Sequence, residues 1–133
     1  MPIAPDVRKR LEQDKVVWLT TITDSGAPAP NPVWFLVDGD DVLVFSEPTS
    51  RKVGNIGRRP AVTVHINSDP DGGDFYVLTG TATVRPGQAP SQVPGFLDKY
   101  HADIVGPLAM TVDEIDARYN AEIRIQVRSI RGV

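Results

Sequence analysis

A mainly β fold, a six-stranded antiparallel barrel with short peripheral helices, is what this 133-residue sequence predicts. Three observations lead there. Short runs rich in β-branched residues recur between clusters of Gly, Pro, Asp and Ser. Two of those runs alternate apolar and polar side chains, the period of a half-covered strand. The first four runs are interrupted by a single short helical segment, and sequential strands with short turns favour closure of an antiparallel sheet on itself.

The elements follow in chain order. Pro5 to Gln13 reads as a helix, with Pro5 in its first turn and Val7 and Leu11 on one face. Val16 to Thr23 reads as a strand, and Asp24-Ser25-Gly26 as a turn. Pro30 to Val37 reads as one strand whose continuously apolar second half expects cover on both faces. After the turn Asp38-Gly39-Asp40 comes a strand from Val42 to Ser46, giving a three-strand meander. A helix from Ser50 to Arg59 stops before Pro60.

Ala61 to Asn67 alternates, with Val62, Val64 and Ile66 on one face and Thr63 and His65 on the other. Ser68 to Asp74 is a loop by composition. Phe75 to Arg85 is a long strand in which Gly80 expects a bulge or a close backbone approach. Val93, Phe96, Leu97 and Tyr100 have helical spacing, interrupted by Pro94-Gly95. Thr111-Val112-Asp113-Glu114 has the spacing of a capping box, with Ile115 and Tyr119 on one face behind it. Ala121 to Ile130 closes the series, alternating Ile123, Ile125 and Val127 against Arg124, Gln126 and Arg128.

Composition narrows the function. At 41% hydrophobic and 23% charged, residues 1–133 fit one globular domain. A core of this size leaves little room for a deep private cavity, which favours a site shared between two copies. A net charge of −3 argues against non-specific nucleic-acid binding. With no cysteine, disulfides, thiolate metal sites and cysteine nucleophiles are excluded. Neither an apolar signal core nor a membrane-spanning run is present, so a cytoplasmic protein with no membrane partner is expected.

Catalytic motifs are sparse. The sequence has no Gly-x-Ser-x-Gly elbow, and His65 and His101 lack metal-ligand spacing, so no metal is expected. Asp113, Glu114 and Asp116 suit a solvated helix start better than acid–base chemistry. The Asp69–Asp74 loop lacks the glycine and glutamate positions of a calcium loop.

Two segments stand out. Ser50-Arg51-Lys52 opens a helix directly after a buried strand. Unpaired N–H groups, the helix dipole and two cations would together hold a phosphate or carboxylate. A Ser N-cap followed by solvated cations accounts for the same residues. Pro30-Asn31-Pro32-Val33-Trp34 is a stiff segment with an amide at the mouth of a strand. Asn31 could hydrogen-bond the edge of a flat heteroaromatic ring lying against Val33, or simply occupy a proline-protected edge. Trp34 is expected in the core.

In this order, Gly26, Asn31-Pro32-Val33-Trp34-Phe35, Val42-Leu43-Val44-Phe45-Ser46, Ser50-Arg51-Lys52, Asn55-Ile56, Arg58-Arg59-Pro60 and Gly80-Thr81-Ala82 resemble the pyridoxamine-phosphate-oxidase-like split β-barrel family. The similarity is greatest to its actinobacterial branch that binds the deazaflavin coenzyme F420. The resemblance runs from about Val16 to Arg128; no single piece is specific, the ordered set is.

It implies a homodimer with cofactor sites at the interface, phosphate on Ser50, Arg51 and Lys52, and Asn55 one turn further along the helix. It places Asn31, Pro32 and Val33 beside the ring and Phe45 and Ser46 under it. Function would then be hydride transfer between deazaflavin and a small organic substrate, with the catalytic residue open and the final proton supplied by solvent. The second subunit would complete the site, through residues 86–119 or the strand with Arg124 and Arg128, unless those arginines are a solvated face. The alternatives are an FMN oxidoreductase of the same fold, a non-catalytic cofactor carrier, and a scaffold with a vestigial site. Vitamin-B6 oxidation is not expected, because the segment that grips pyridoxal phosphate in the longer oxidases has no counterpart before Val133.

Overall fold

The β-branched runs form one curled antiparallel sheet in the computed structural model, which describes residues 1–132. In chain order the strands are β1 (Val17–Ile22), β2 (Pro28–Val33), β3 (Phe35–Asp38), β4 (Asp41–Ser46), β5 (Ala61–His65), β6 (Tyr76–Pro86) and β7 (Ala121–Gly132). The helices are α1 (Pro5–Gln13), α2 (Arg51–Arg58), α3 (Phe96–Val105) and α4 (Val112–Arg118). A short 3₁₀ turn at Pro90–Gln92 precedes α3.

Across the sheet the order is β2-β1-β5-β6-β7-β4-β3. The strand count is therefore seven rather than six, and the expected three-strand meander divides. The segment expected as one strand from Pro30 to Val37 breaks at Trp34, and its halves become the two opposite edges of the sheet. The physical reason is in the pairing. Proline-bearing β2 pairs only with β1, whereas β3 pairs with β4 through the Asp38–Asp41 hairpin. Trp34 alone joins the two edges, so the sheet curls back on itself there.

One face of the sheet carries a mostly aliphatic core, which also buries Phe35. Val17, Leu19, Val42, Val44, Val62, Val64, Leu78, Ile123, Ile125 and Val127 meet Val7 and Leu11 of α1 and Ile56 of α2. Alternation places these residues together, and their removal from water is the main stabilising term of such a fold. The opposite face of β3 and β4 is covered too. Leu36, Leu43 and Phe45 pack against Phe96, Tyr100 and Ile104 of α3 and Ile115 of α4. That double cover explains the continuous apolar runs in both strands.

Local signals are obeyed closely. The register of β6 against β7 shifts between Thr79 and Gly80, where the bulge was expected. A Cβ on Gly80 would overlap the Gln126 carbonyl oxygen. The Thr111–Glu114 capping box forms in both directions. α3 starts only after Pro94, with Gly95 left-handed at its N-cap (φ 91°), so Val93 lies outside the helix.

Candidate functional site

Where β4 runs out at Ser46, the chain turns through Glu47 and Ser50 into α2, and this turn forms one end of a cleft of about 450 Å³. Ser50 takes the N-cap position with an extended backbone but makes no side-chain cap bond. Its hydroxyl pairs with that of Ser46 at 2.7 Å instead. The expected Ser50 cap is thus not made, because the buried Ser46 hydroxyl competes for it. The first turn of α2 also holds no acidic residue, so its amides keep their partial positive charge.

Lys52 lines the cleft beside these hydroxyls and is half-buried. Burial pushes its ammonium pKa down, while Glu47 pulls it back up. Glu47 in turn is held by Arg118 of α4 at 2.9 Å. A cation short of water gains more from an incoming anion than an exposed one does. The polar end of the cleft therefore combines a desolvated ammonium, two hydroxyls and a helix N-terminus.

Its other end is apolar. Val33, Trp34, Phe45, Phe96, Leu108 and Ile115 form the walls, and Tyr119 adds an aromatic ring. The Trp34 indole lies flat on the Tyr100 ring, with centroids 4.3 Å apart and planes 4° apart. Phe96 meets Phe45 edge-on at 5.4 Å. Such a cleft accommodates a flat, largely apolar ring joined to an anionic group.

The pyridoxamine 5'-phosphate oxidase family model matches residues 3–133. The chain belongs to this family. Among solved structures, the pyridoxamine 5'-phosphate oxidase fold seen here is similar to that of an F420 reductase, with a TM-score of 0.74, 23% identity, and coverage of 97% of this chain and 98% of that one. A conserved hypothetical protein from Mycobacterium tuberculosis has a TM-score of 0.74 at 17% identity, covering 97% of this chain and 83% of that chain. The heme storage protein of Vibrio cholerae has a TM-score of 0.68 at 13% identity, covering 99% and 95% respectively. Comparison with curated proteins finds no match. The family's fold thus serves both a reductase and a storage protein.

Within this family member, the structure brings Pro32, Val33, Phe45, Ser46, Ser50 and Lys52 to the same cleft. Three other expected site residues stand elsewhere. Asn31 is exposed on edge strand β2. Arg51 is exposed outside the cleft lining. Asn55 is 6% exposed, its amide donates to Thr21 Oγ1 at 3.1 Å, and its oxygen accepts from Arg58. That bonding makes Asn55 a tie between α2 and β1.

Sequence reasoning missed Trp34, Glu47, Pro90, Phe96, Leu108, Ile115 and Tyr119 as cleft residues. Phe96 and Ile115 carried a helical signal that could have marked a second covering layer; Leu108, in the turn after α3, carried none. Arg124 is held by Asp38, Asp41 and Glu122, and Arg128 is exposed. Among the described residues no cluster of His, Asp and Glu could hold a metal, and no helix is long and apolar enough to cross a membrane.

Proposed function

We propose that this chain is an F420-dependent oxidoreductase that transfers hydride between the deazaflavin and a small organic substrate, acting as a homodimer with the cofactor at the interface. The observation that carries the reading is the two-ended cleft, with uncapped α2 and half-buried Lys52 at one end and an aromatic wall at the other. Those residues fit the cofactor's chemistry. Lys52, the Ser46 and Ser50 hydroxyls and the first amides of α2 would hold its phosphate. Trp34, Phe45 and Val33 would border its ring. Arg51, exposed at the same helix start, offers a cation to the anionic tail that distinguishes F420 from FMN.

When bound, the cofactor supplies the hydride chemistry. The protein orients the ring, keeps water off its apolar face and neutralises the phosphate. Glu47, held by Arg118, stays beside Lys52 and helps keep it protonated. The fold's similarity to an F420 reductase over nearly the whole of both chains supports the cofactor assignment.

Fluorescence titration with F420 and with FMN, each alone, tests the reading. Tighter binding of F420 is expected, and tighter binding of FMN would replace the deazaflavin by a flavin. Lys52→Ala is expected to weaken binding about 10- to 100-fold, the scale of one lost charge-assisted contact. Unchanged affinity would sink the phosphate assignment. Turnover is read by the absorbance of reduced F420 with a panel of enones and quinones, and binding without turnover makes the protein a carrier. Sedimentation velocity reads the dimer.

A further inference from the structure

Tyr100 is fully buried, and its hydroxyl is tied to three backbone groups. It accepts from the Phe35 N–H at 2.9 Å and lies 2.7 Å from the Lys15 carbonyl and 3.0 Å from the Phe35 carbonyl. Lys99, its neighbour in α3, places its ammonium 3.2 Å from the same Phe35 carbonyl and 3.6 Å over the Phe35 ring. α3 therefore clamps both backbone groups of the residue that follows Trp34. The Tyr100 ring meanwhile lies parallel against the Trp34 indole. Trp34 is half-buried in the cleft wall and is the residue through which the chain passes from β2 to β3, the two sheet edges. An unsupported indole at such a joint would have rotameric freedom to lose on binding; one already stacked has little.

We infer that Tyr100 is a positioning residue for the cleft, fixing the Trp34 indole as a flat wall against which the planar ring of the ligand packs. The inference rests on the proposed function for the ligand's full identity, but it requires only that the ligand carry a planar ring. The clamp and the phosphate end belong to different elements, α3 and α2, so they make separable contributions.

The chain holds two tryptophans, which makes the test direct. Trp18 lies on β1, stacked on His65 and bonded through Nε1 to Asn67, and is not among the cleft residues. In a Trp18→Phe background, fluorescence reports Trp34 alone. Lumiflavin, the flavin ring without a phosphate, is expected to quench it. Adding Tyr100→Leu, which removes the ring stacked on Trp34, should weaken lumiflavin about 10-fold, the scale of one stacking contact. It should also speed the anisotropy decay of Trp34 and leave the ratio of FMN to lumiflavin affinity unchanged. Lys52→Ala should do the reverse, collapsing that ratio and sparing lumiflavin. Should Tyr100→Leu not fold, Tyr100→Phe keeps the ring but loses the hydroxyl's backbone contacts, and should speed the Trp34 anisotropy decay and weaken lumiflavin by a smaller factor of about 3. The inference is overturned if lumiflavin does not bind, or if it binds the wild type and these variants equally. The proposed function fails separately, if F420 and FMN bind no more tightly than lumiflavin while the ring results stand.

Discussion

The two faces of the sheet are built on different principles. The core face is mostly aliphatic, with Phe35 its one fully buried aromatic ring, and is assembled from strands by alternation, with Val and Ile filling β5 and β7. The other face, over β3 and β4, mixes Leu and Ile with stacked aromatic rings and is assembled from pieces distant in the chain, with Phe45 meeting Phe96 and Trp34 meeting Tyr100. The cleft opens mainly on this second face, with Val33 of the core cluster among its walls. The division separates materials: one face is the closed core, and the other lines the cleft with flat rings, to which α2, packed on the core face through Ile56, adds Lys52. Close packing on the first face is what allows openness on the second.

Substitutions can break or sharpen that division. The largest effect is expected at Gly80, where β6 bulges against β7. An added Cβ would overlap the Gln126 carbonyl and stand 3.1 Å from Ile125 Cγ2. Gly80→Ala should cost about 3 kcal/mol in urea unfolding. A change under about 0.5 kcal/mol would show that the bulge absorbs the methyl group.

Asn55 is the sharper probe, since it neighbours the cleft residues in sequence and the core in space. Asn55→Ala should lower stability by about 2 kcal/mol through loss of the buried bond to Thr21. Cofactor affinity should hold. A tenfold affinity loss with stability intact would return Asn55 to the ligand site.

Thr111→Ala removes the capping box of α4, on the cleft face, and should cost about 1 kcal/mol. Because Ile115 and Tyr119 line the cleft beyond it, a drop in ligand affinity should accompany the loss. Calorimetry and titration on one sample would separate the two effects.

The mildest probe is pH. Burial lowers the Lys99 pKa from 10.5 to about 8, against the pull of Asp14 and Glu12. Between those values the unfolded chain holds a proton that the folded chain has released. Folding stability should therefore gain from Lys99 as pH rises from about 8 to 10.5. The slope should vanish in Lys99→Met, and a slope of the opposite sign in wild type would mean that the Leu11 and Phe35 carbonyls, 3.4 and 3.2 Å from the ammonium, and the Phe35 ring outweigh the burial.

The same division explains what was legible in the sequence. The core face could be read because alternation in Ala61–His65 and Ala121–Ile130 is a local pattern with one meaning. The capping box and the Gly80 bulge were local as well. The break at Trp34 was not, since an apolar run from Val33 to Val37 reads alike whether it stays in one strand or changes edges. Nor was the difference between Arg51 and Lys52, adjacent cations of which only the second lines the cleft. Which side of a short helix faces a cleft depends on where α3 and α4 settle, and those helices lie far along the chain.

The joining of the sheet's two edges through one residue also orders the folding reaction. Hairpins β1–β2 and β3–β4 close over short turns and lose little chain entropy. The long closure falls to β7, which must find β6 on one side and β4 on the other, pairing residue 126 with residue 41. Because the joint at Trp34 is already covalent, arrival of that last strand completes the hoop in a single step. Contacts of such sequence separation make folding slow. Docking of the C-terminal strand is then the step expected to limit folding, so that substitutions in β7 slow refolding in stopped-flow kinetics and both faces, core and cleft, form together.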